Sequence, residues 1–508
     1  MIVLYHQNGR VVDTHGAQSL TGKKITEAFV DAARLFPEAI LVWCDQRLRN
    51  FLNLSEIPDL LHHKRLMFSY NSSKEQYFGP TVGFCEETTP FIAVRFDVKY
   101  PTWQMSGQVG AMHAETINVF APYLHVEDNF DYFLNSFAKR AMRSGLICYS
   151  DPNLLKADFP SLAEKKAGIF PIFKFVRQHY RMRWTSLVLL DMLLYKRRFP
   201  ILPYLFSVFY RKRQSLGEVI STVPMQSTRN IINLGTLDVV IPTIGRRDHF
   251  HNVLKDLALQ TYLPKRVIVV EQNPEPGSVS DLDFIRSEKW PFEIDHVFTH
   301  RTGACAARNV ALMRTQSEFV FMADDDIRFQ AGLIEQVFEY FRKTGNEIIQ
   351  ISGPQSNEKI EGSTIVQHTA LGSGLVFMKT KCLDGVWFNP GFEFGYGEDK
   401  DFGIQLRRKG FDILLVPFIH VLHLKAPMGG FRSKPSHPWE REEIQPKPSP
   451  TVMLHMTRNM TPEQFEGYKT VYFFKNWRKR GRNPFRIYAN FKKSWQRSLF
   501  WANELGKL

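Results

Sequence analysis

Residues 319–330, FVFMADDDIRFQ, carry an apolar run directly into three consecutive aspartates. The run FVFMA has the length and composition of a buried strand, and Asp324, Asp325 and Asp326 follow at its end. Three carboxylates this close repel one another, so a cation or water must lie between them. In open α/β sheets, ligands bind beyond the carboxyl ends of the strands. The stretch therefore predicts a ligand site at the edge of a sheet.

The sequence around this stretch alternates between strand and helix patterns. Short apolar runs occur at 237–243, 265–271, 293–299 and 318–323, and helical patterns separate them. Strands that are apolar along most of their length are typical of parallel sheets covered by helices on both faces. The predicted class of this region is therefore α/β.

Several motifs in this region become specific only through their order and spacing. They are VVIPTIGR (239–246), VIVVEQN (267–273), GACAARNVAL (303–312), FVFMADDD (319–326) and GYGEDKDFGIQLRRKG (395–410). Together they resemble the family 2 glycosyltransferases, which have the GT-A nucleotide-sugar fold, and DDDI also resembles the galactofuranosyltransferase and rhamnosyltransferase-like branch. The resemblance implies an inverting enzyme that moves a sugar from a nucleotide-diphosphate donor to a hydroxyl of a glycan or a lipid-linked acceptor.

The aspartate run is the first candidate site. Carboxylate oxygens suit Mg²⁺ or Mn²⁺, and the resemblance implies that Asp324 and Asp326 hold the metal, with Asp324 and Asp325 also contacting the sugar nucleotide. It further implies a histidine ligand after the last strand, for which His423 is the first choice. His420 would point the same way on a strand and remains the alternative. The competing interpretation of the run is a solvated acidic turn that caps the next helix.

A second pair of acids, Glu398 and Asp399, opens an amphipathic helix. The helix dipole favours acids in a first turn, which is the structural explanation. The resemblance implies instead that Asp399 is the general base that deprotonates the acceptor hydroxyl. Glu398 would position the acceptor.

The remaining candidates are residues that the resemblance assigns to binding of the nucleotide-sugar donor. Glu271 stands where relatives have an aspartate that contacts the base of the nucleotide. The identity of the nucleotide is therefore not predicted. The other residues predicted to contact the nucleotide or its diphosphate are Pro242, Thr243, Arg246, Arg308, Asn309 and Arg432. For Arg308 a position on an exposed helix face is an equal alternative. Arg432 follows the pair Gly429-Gly430, and a glycine turn beside a basic residue is common in proteins of any function.

A fainter copy of residues 372–417, the part that the resemblance assigns to the acceptor, occurs near the N-terminus. MSGQVGAM (105–112) resembles GSGLVFMK (372–379), and 126–152 resembles 397–417. One acid, Asp45, ends the apolar strand there, and it alone cannot hold a metal with a diphosphate. We predict a degenerate GT-A-like α/β domain, with chance similarity as the alternative. The predicted limits are 1–158 for this domain, 159–232 for a basic helical linker, 233–432 for the GT-A catalytic domain and 433–508 for a basic, aromatic-rich helical tail.

Basic residues are concentrated in two segments of the 508-residue chain, whose net charge is +14. Window 165–213 holds twelve lysines and arginines against one acid, and window 469–508 holds eleven against one. Because aromatic residues are interleaved, both segments favour contact with an anionic membrane surface. Binding of single-stranded nucleic acid is the second interpretation. A helical bridge on which the tail packs is the third.

The composition indicates an ordinary globular protein with 44% hydrophobic and 23% charged residues. Five scattered cysteines indicate reduced thiols, and the start MIVLYHQNGR does not have the layout of a signal peptide. The expected location is cytoplasmic, peripheral at the inner face of the plasma membrane. Two alternative functions remain. One is a catalytically inactive scaffold that binds glycan or membrane, against which the intact acids argue, and the other is a nucleic-acid-binding protein, suggested only by the basic segments.

Overall fold

The computed structural model describes residues 1–127, 129–163, 165–359, 362–425, 437–477 and 483–508. Within them the chain forms two units. The first comprises Met1–Arg229, Arg408–Gly410 and Met460–Lys479, and the second comprises Asn230–Arg407, Phe411–Asn459 and Arg480–Leu508. The segment predicted as a linker therefore clusters with the first unit, and the tail is divided between the two.

The first unit contains a seven-stranded sheet in the order β2-β1-β3-β6-β4-β7-β5. Its strands are β1 (Ile2–Gln7), β2 (Arg10–His15), β3 (Ile40–Asp45), β4 (Leu66–Tyr70), β5 (Tyr100–Pro101), β6 (Val109–His113) and β7 (Ile147–Ser150). Its helices are α1 (Ile25–Leu35), α2 (Ile57–Leu60), α3 (Ala114–Phe120), α4 (Phe130–Ala141), α5 (Ile169–His179), α6 (Met182–Lys196), α7 (Ile201–Ser207) and the later helix Pro462–Trp477. Buried aromatic side chains from β3, α1 and α4 form much of its core.

The second unit contains an eight-stranded sheet in the order β10-β9-β8-β11-β15-β13-β16-β14. Its strands are β8 (Leu237–Ile244), β9 (Arg266–Gln272), β10 (Glu293–Thr299), β11 (Phe319–Ala323), β13 (Ile348–Ser352), β14 (Val366–Gln367), β15 (Leu375–Lys379) and β16 (Leu414–His420). A separate ribbon pairs β12 (Ile327–Arg328) with β17 (Leu422–His423). The helices are α8 (Arg247–Ala258), α9 (Phe284–Ser287), α10 (Ala304–Leu312), α11 (Leu333–Thr344), α12 (Glu398–Arg408), Pro450–Asn459 and Pro484–Leu505.

Both units have the predicted α/β class, and the tail is helical as predicted. The prediction of a parallel sheet holds for β10, β9, β8 and β11 but not for β15, which runs antiparallel between β11 and β13. The apolar run of β15 is buried on both faces, as are the parallel strands β9 and β11 of the same sheet. Its composition therefore does not reveal that it runs in the opposite direction. Within the described ranges no helix combines the length and hydropathy needed to cross a membrane.

The two sheets share one topology over six strands. In chain order, β1, β3, β4, β5, β6 and β7 correspond to β8, β11, β13, β14, β15 and β16, with the same neighbours in the sheet. Each pair of neighbours also has the same relative direction. The motif pairs noted in the sequence fall on equivalent elements, β6 with β15 and α4–β7 with α12–β16. The parallel strands β9 and β10 are replaced in the first unit by one antiparallel strand, β2.

Candidate active site

The carboxyl ends of β8, β9 and β11 meet at a cavity of about 250 Å³ in the second unit. Since these three strands are parallel neighbours, their ends lie at one edge of the sheet. The lining residues are Pro242, Thr243, Ile244, Arg246, Gln272, Thr302, Gly303, Ala304, Arg308, Asp324, Asp325, Asp326 and His423. The cavity therefore contains all three aspartates of the run and most of the predicted donor-side residues.

Three of these side chains form a group with the character of a metal site. One ligand atom each from Asp324, Asp326 and His423 lies within 4.8 Å of the others. The β12–β17 pairing brings His423 beside the aspartates, with its Nε2 atom 3.2 Å from Oδ1 of Asp326. His420 is exposed, and its Nδ1 atom lies 3.3 Å from the Phe418 carbonyl oxygen. Of the two histidines that the sequence left open, the group includes His423.

The middle aspartate has a different role from its neighbours. Asp325 is only 4% exposed, and it accepts a hydrogen bond of 2.8 Å from the Thr243 hydroxyl and another from the Arg246 guanidinium. Burial raises the pKa of Asp325 to about 6. Arg246 also lies 3.0 Å from Oδ2 of Asp326. Asp325 thus holds Arg246 against the metal-type group.

Arg308 supplies a second positive charge to the cavity. It extends from α10 and places Nη2 3.3 Å from Oδ1 of Asp324. The backbone beside Asp324 must be glycine, because a Cβ atom on Gly374 would lie 2.0 Å from Oδ2 of Asp324. Burial lowers the pKa of Arg308, but the charges of Asp324, Asp399 and Glu398 together outweigh it and raise the pKa. Arg308 therefore interacts electrostatically with both acidic motifs, the aspartate run and the pair at the start of α12.

The second acidic pair begins α12, as the sequence predicted. Oδ2 of Asp399 accepts a long hydrogen bond of 3.4 Å from the Ser373 amide, and the buried Oδ1 has no hydrogen-bond partner among the described residues. Burial raises the pKa of Asp399, while Arg308 lowers it. Burial and the charge of Asp399 raise the pKa of Glu398. A buried carboxylate oxygen without a partner is costly, and such groups occur at functional sites.

Some predicted residues are placed away from the cavity lining. Glu271 is buried and accepts hydrogen bonds from Ser280 Oγ at 2.6 Å, the Asp281 amide at 2.9 Å and His296 Nε2 at 2.8 Å. The Asn309 side chain donates to the Phe388 carbonyl at 2.7 Å and accepts from the Phe388 amide at 2.8 Å. Both are therefore committed to internal bonds. Arg432 lies outside the described residues.

Other contacts at the cavity were not predicted from the sequence. Gln272 lines it in place of Glu271 and accepts a hydrogen bond of 2.7 Å from the Gly303 amide. Glu393 accepts from the amides of Cys305 and Ala306 at 3.0 and 2.9 Å, which caps the start of α10. Glu393 is far from α10 in sequence, so no local pattern identifies this cap.

The first unit has a corresponding strand end, where no metal-type group occurs among the residues that the structure describes. Asp45 ends β3, the equivalent of β11, and both of its oxygens are held by the Arg47 guanidinium at 2.9 and 2.8 Å. An acid is retained at the start of α4, the equivalent of α12. Asp131 accepts a hydrogen bond of 2.6 Å from the Gly107 amide, and burial raises its pKa to about 6. The sequence comparison had not singled out Asp131.

One family model matches part of the second unit. Residues 238–399 match the family model described as glycosyl transferase family 2, which confirms the predicted resemblance and the GT-A class for this segment. No curated protein matches the chain.

Solved structures show low similarity to the chain. The crystal structure of S. aureus TarS has a TM-score of 0.34 and 17% identity over 47% of this chain and 43% of that one. Mannosyltransferase PcManGT from Pyrobaculum calidifontis, in complex with GDP-Man and Mn²⁺, has a TM-score of 0.31 and 15% identity over 53% and 73%. The chain thus spans less than half of the length of TarS.

Proposed function

Because residues 238–399 match glycosyl transferase family 2, as the motifs predicted, we propose that the protein is an inverting, metal-dependent glycosyltransferase. It moves a sugar from a nucleotide-diphosphate donor to a hydroxyl of a glycan or a lipid-linked acceptor. One observation carries the proposal. The group formed by Asp324, Asp326 and His423 shares a cavity with Arg246 and Arg308.

The metal-type group fits Mn²⁺ or Mg²⁺. Two carboxylates and an imidazole offer oxygen and nitrogen ligands, and their ligand atoms are close enough together to share one ion. The mutual repulsion of Asp324 and Asp326 favours a cation between them. When bound, such an ion would supply positive charge that neutralises the diphosphate of the donor.

The donor is held by residues at the ends of the strands. Pro242, Thr243 and Gln272 line the side of the cavity formed by β8 and β9, where we place the nucleoside. Arg308 faces Asp324 from α10, so its guanidinium lies where it can pair with a diphosphate oxygen. The negative charge that develops on the leaving diphosphate is stabilised there by a cation already held in place.

Asp399 acts as the general base. Its carboxylate takes the proton of the acceptor hydroxyl while the hydroxyl oxygen attacks the anomeric carbon from the face opposite the diphosphate. A new carbon–oxygen bond forms, the bond from the anomeric carbon to the phosphate oxygen breaks, and the electron pair leaves with the diphosphate. The configuration at the anomeric carbon is therefore inverted. Glu398 positions the acceptor from the preceding position of α12.

A donor screen tests this function. The protein is incubated with Mn²⁺ and a panel of nucleotide-diphosphate sugars, and release of nucleoside diphosphate is measured. We expect turnover of one class of donor, a fall of about 100-fold or more in EDTA because the metal contributes several kcal/mol, and recovery when Mn²⁺ is restored. Turnover that is equal in EDTA, or absent for every donor in Mn²⁺, would contradict the proposal.

We also propose that the first unit contacts an anionic membrane surface. Leu202, Phe206 and Phe209 are 60%, 54% and 82% exposed along α7 and the residues after it. Basic residues precede and follow them in the chain, namely Arg197, Arg198, Arg211 and Lys212. Exposed apolar side chains flanked by cations match the apolar interior and the anionic head groups of a bilayer surface.

Vesicle flotation tests the membrane contact. We expect Phe206→Ser combined with Phe209→Ser to weaken binding to phosphatidylglycerol vesicles by about tenfold or more, because two aromatic side chains no longer leave water. Val279→Ser in the second unit, where Val279 is 81% exposed, is the matched control and should bind like the wild type. If the wild type does not float with the vesicles, or the double variant floats equally well, the membrane contact is wrong.

A further inference from the structure

A second, larger cavity of about 710 Å³ lies within the first unit. Its walls are the end of α4, the junction between α5 and α6, and the segment that follows α7. Among the residues that the structure describes, the lining contains one histidine, His179, and no aspartate or glutamate. Its charged side chains are all lysines or arginines: Lys139, Arg140, Arg143, Arg181, Arg183, Lys212 and Arg213. The proposed transferase chemistry uses none of them.

The floor of this basic cavity contains buried cations. Lys139 and Arg140 are 6% and 8% exposed. Lys139 is neutralised by an ion pair with Glu86. Arg140 instead donates to backbone carbonyls, to Ser136 and Tyr123 at 3.2 Å each, and no carboxylate of the described residues forms an ion pair with it. A buried guanidinium with only carbonyl partners keeps its full positive charge.

The rim adds further positive charge. Arg143, Arg181, Arg183 and Lys212 are exposed, and within the described part of the chain no carboxylate lies within ion-pair distance of any of them. Arg213 is the exception, since it pairs with Glu127. Positive charge therefore exceeds negative charge both at the floor and at the mouth.

The titration properties of the buried groups reflect this excess. Burial and the nearby Arg213 lower the pKa of Arg140 to about 10. Burial together with Lys139 and Arg140 holds the pKa of His179 well below its ordinary value, so the imidazole is neutral. In both cases burial is the larger cause and the neighbouring cations add to it, so positive charge is crowded at the floor of the cavity. A bound anion would offset this positive charge.

We propose that the basic cavity binds a ligand that carries a diphosphate or two closely spaced phosphate groups. Guanidinium groups match phosphate oxygens with paired hydrogen bonds, which the exposed rim arginines can form, and the buried charge of Arg140 adds electrostatic attraction. The cavity is larger than an inorganic anion requires, and Tyr180 and Trp184 in its wall provide aromatic surface for an organic part. The ligand is either a soluble organic phosphate or the phosphate head group of a lipid.

The basic cavity belongs to the first unit alone, so its ligand binding can be tested independently of the transferase activity. Calorimetric titration with inorganic pyrophosphate is therefore done in EDTA, so that no metal bridges pyrophosphate to the aspartates of the second unit. We expect saturable binding by the wild type that weakens as salt is added. Arg143→Ala combined with Lys212→Ala removes two exposed cations and should weaken binding at least tenfold with the fold intact.

The matched control is Lys156→Ala combined with Lys165→Ala, which removes two exposed cations of the same unit that do not line the cavity. It should bind pyrophosphate like the wild type. If the control weakens binding as much as the rim variant, the effect is one of net charge and the proposed site is wrong. Absence of pyrophosphate binding by the wild type, or tighter binding of a single-stranded oligonucleotide, also overturns the proposal.

Two further titrations separate the sources of the phosphate. Vesicles of phosphatidylcholine containing an isoprenyl diphosphate present a lipid-borne diphosphate, and ADP presents a soluble one. Vesicle binding that pyrophosphate displaces, and that the rim variant loses, assigns a lipid head group. Saturable ADP binding that the rim variant loses, without such vesicle binding, assigns a soluble phosphate. Failure of both probes restricts the site to a free inorganic ion and contradicts an organic ligand.

Discussion

Asp399→Asn lowers kcat about 1000-fold, within the range of 10²–10⁴ that a general base contributes. Asparagine has nearly the same shape and still accepts the hydrogen bond from the Ser373 amide, but it cannot take the proton of the acceptor hydroxyl. The loss should therefore appear in kcat for transfer with the donor KM little changed. Steady-state kinetics with the donor identified by the screen measure both.

The pH profile gives a second measurement of the same prediction. Burial raises the pKa of Asp399, and a base works in its ionised form. Activity should therefore fall as the pH drops through this pKa, at a higher pH than an exposed aspartate would give. Asp399→Asn should lose this acidic limb. Asp384→Asn, at an exposed acid of the same unit, is the control and should keep both the rate and the limb. An Asp399→Asn enzyme with wild-type kcat would rule out the base.

Asp326→Ala weakens Mn²⁺ binding by about 100-fold or more, since even residues behind the metal ligands commonly cost 10–100-fold. The substitution removes one of the three grouped ligand side chains and leaves Arg246 with fewer negative neighbours. Titration of Mn²⁺ followed by electron paramagnetic resonance counts the free ion directly. Turnover should fall in parallel and recover only partly at high Mn²⁺ concentration.

The two histidines provide a matched comparison for the metal site. His423→Ala should also weaken Mn²⁺ binding, because its Nε2 atom belongs to the metal-type group. His420→Ala should not, because His420 is exposed and lies outside that group. Equal Mn²⁺ affinity in Asp326→Ala and the wild type would remove the metal role of the aspartates. A loss in His420→Ala but not in His423→Ala would reverse the choice of histidine.

The local sequence predicted the parts of the site that depend on neighbouring residues. An apolar run followed by Asp324, Asp325 and Asp326 indicates a strand with acids at its end, and Glu398 and Asp399 open a helix as the pattern predicted. The paired motifs near 105–112 and 372–379 also predicted the repeated half of the fold, which the shared strand order agrees with. The predicted domain limits and the roles of the site residues remain predictions.

Strand ends and helix starts could be predicted from the sequence, because hydrophobic pattern and charge act over a few neighbouring residues. Which of those ends meet depends on the tertiary structure. It placed His423 beside Asp326 through the β12–β17 register, turned Glu271 toward His296, and gathered three separate segments of the first unit around the basic cavity. Those outcomes depend on contacts between residues far apart in the chain, whose distances no local pattern encodes.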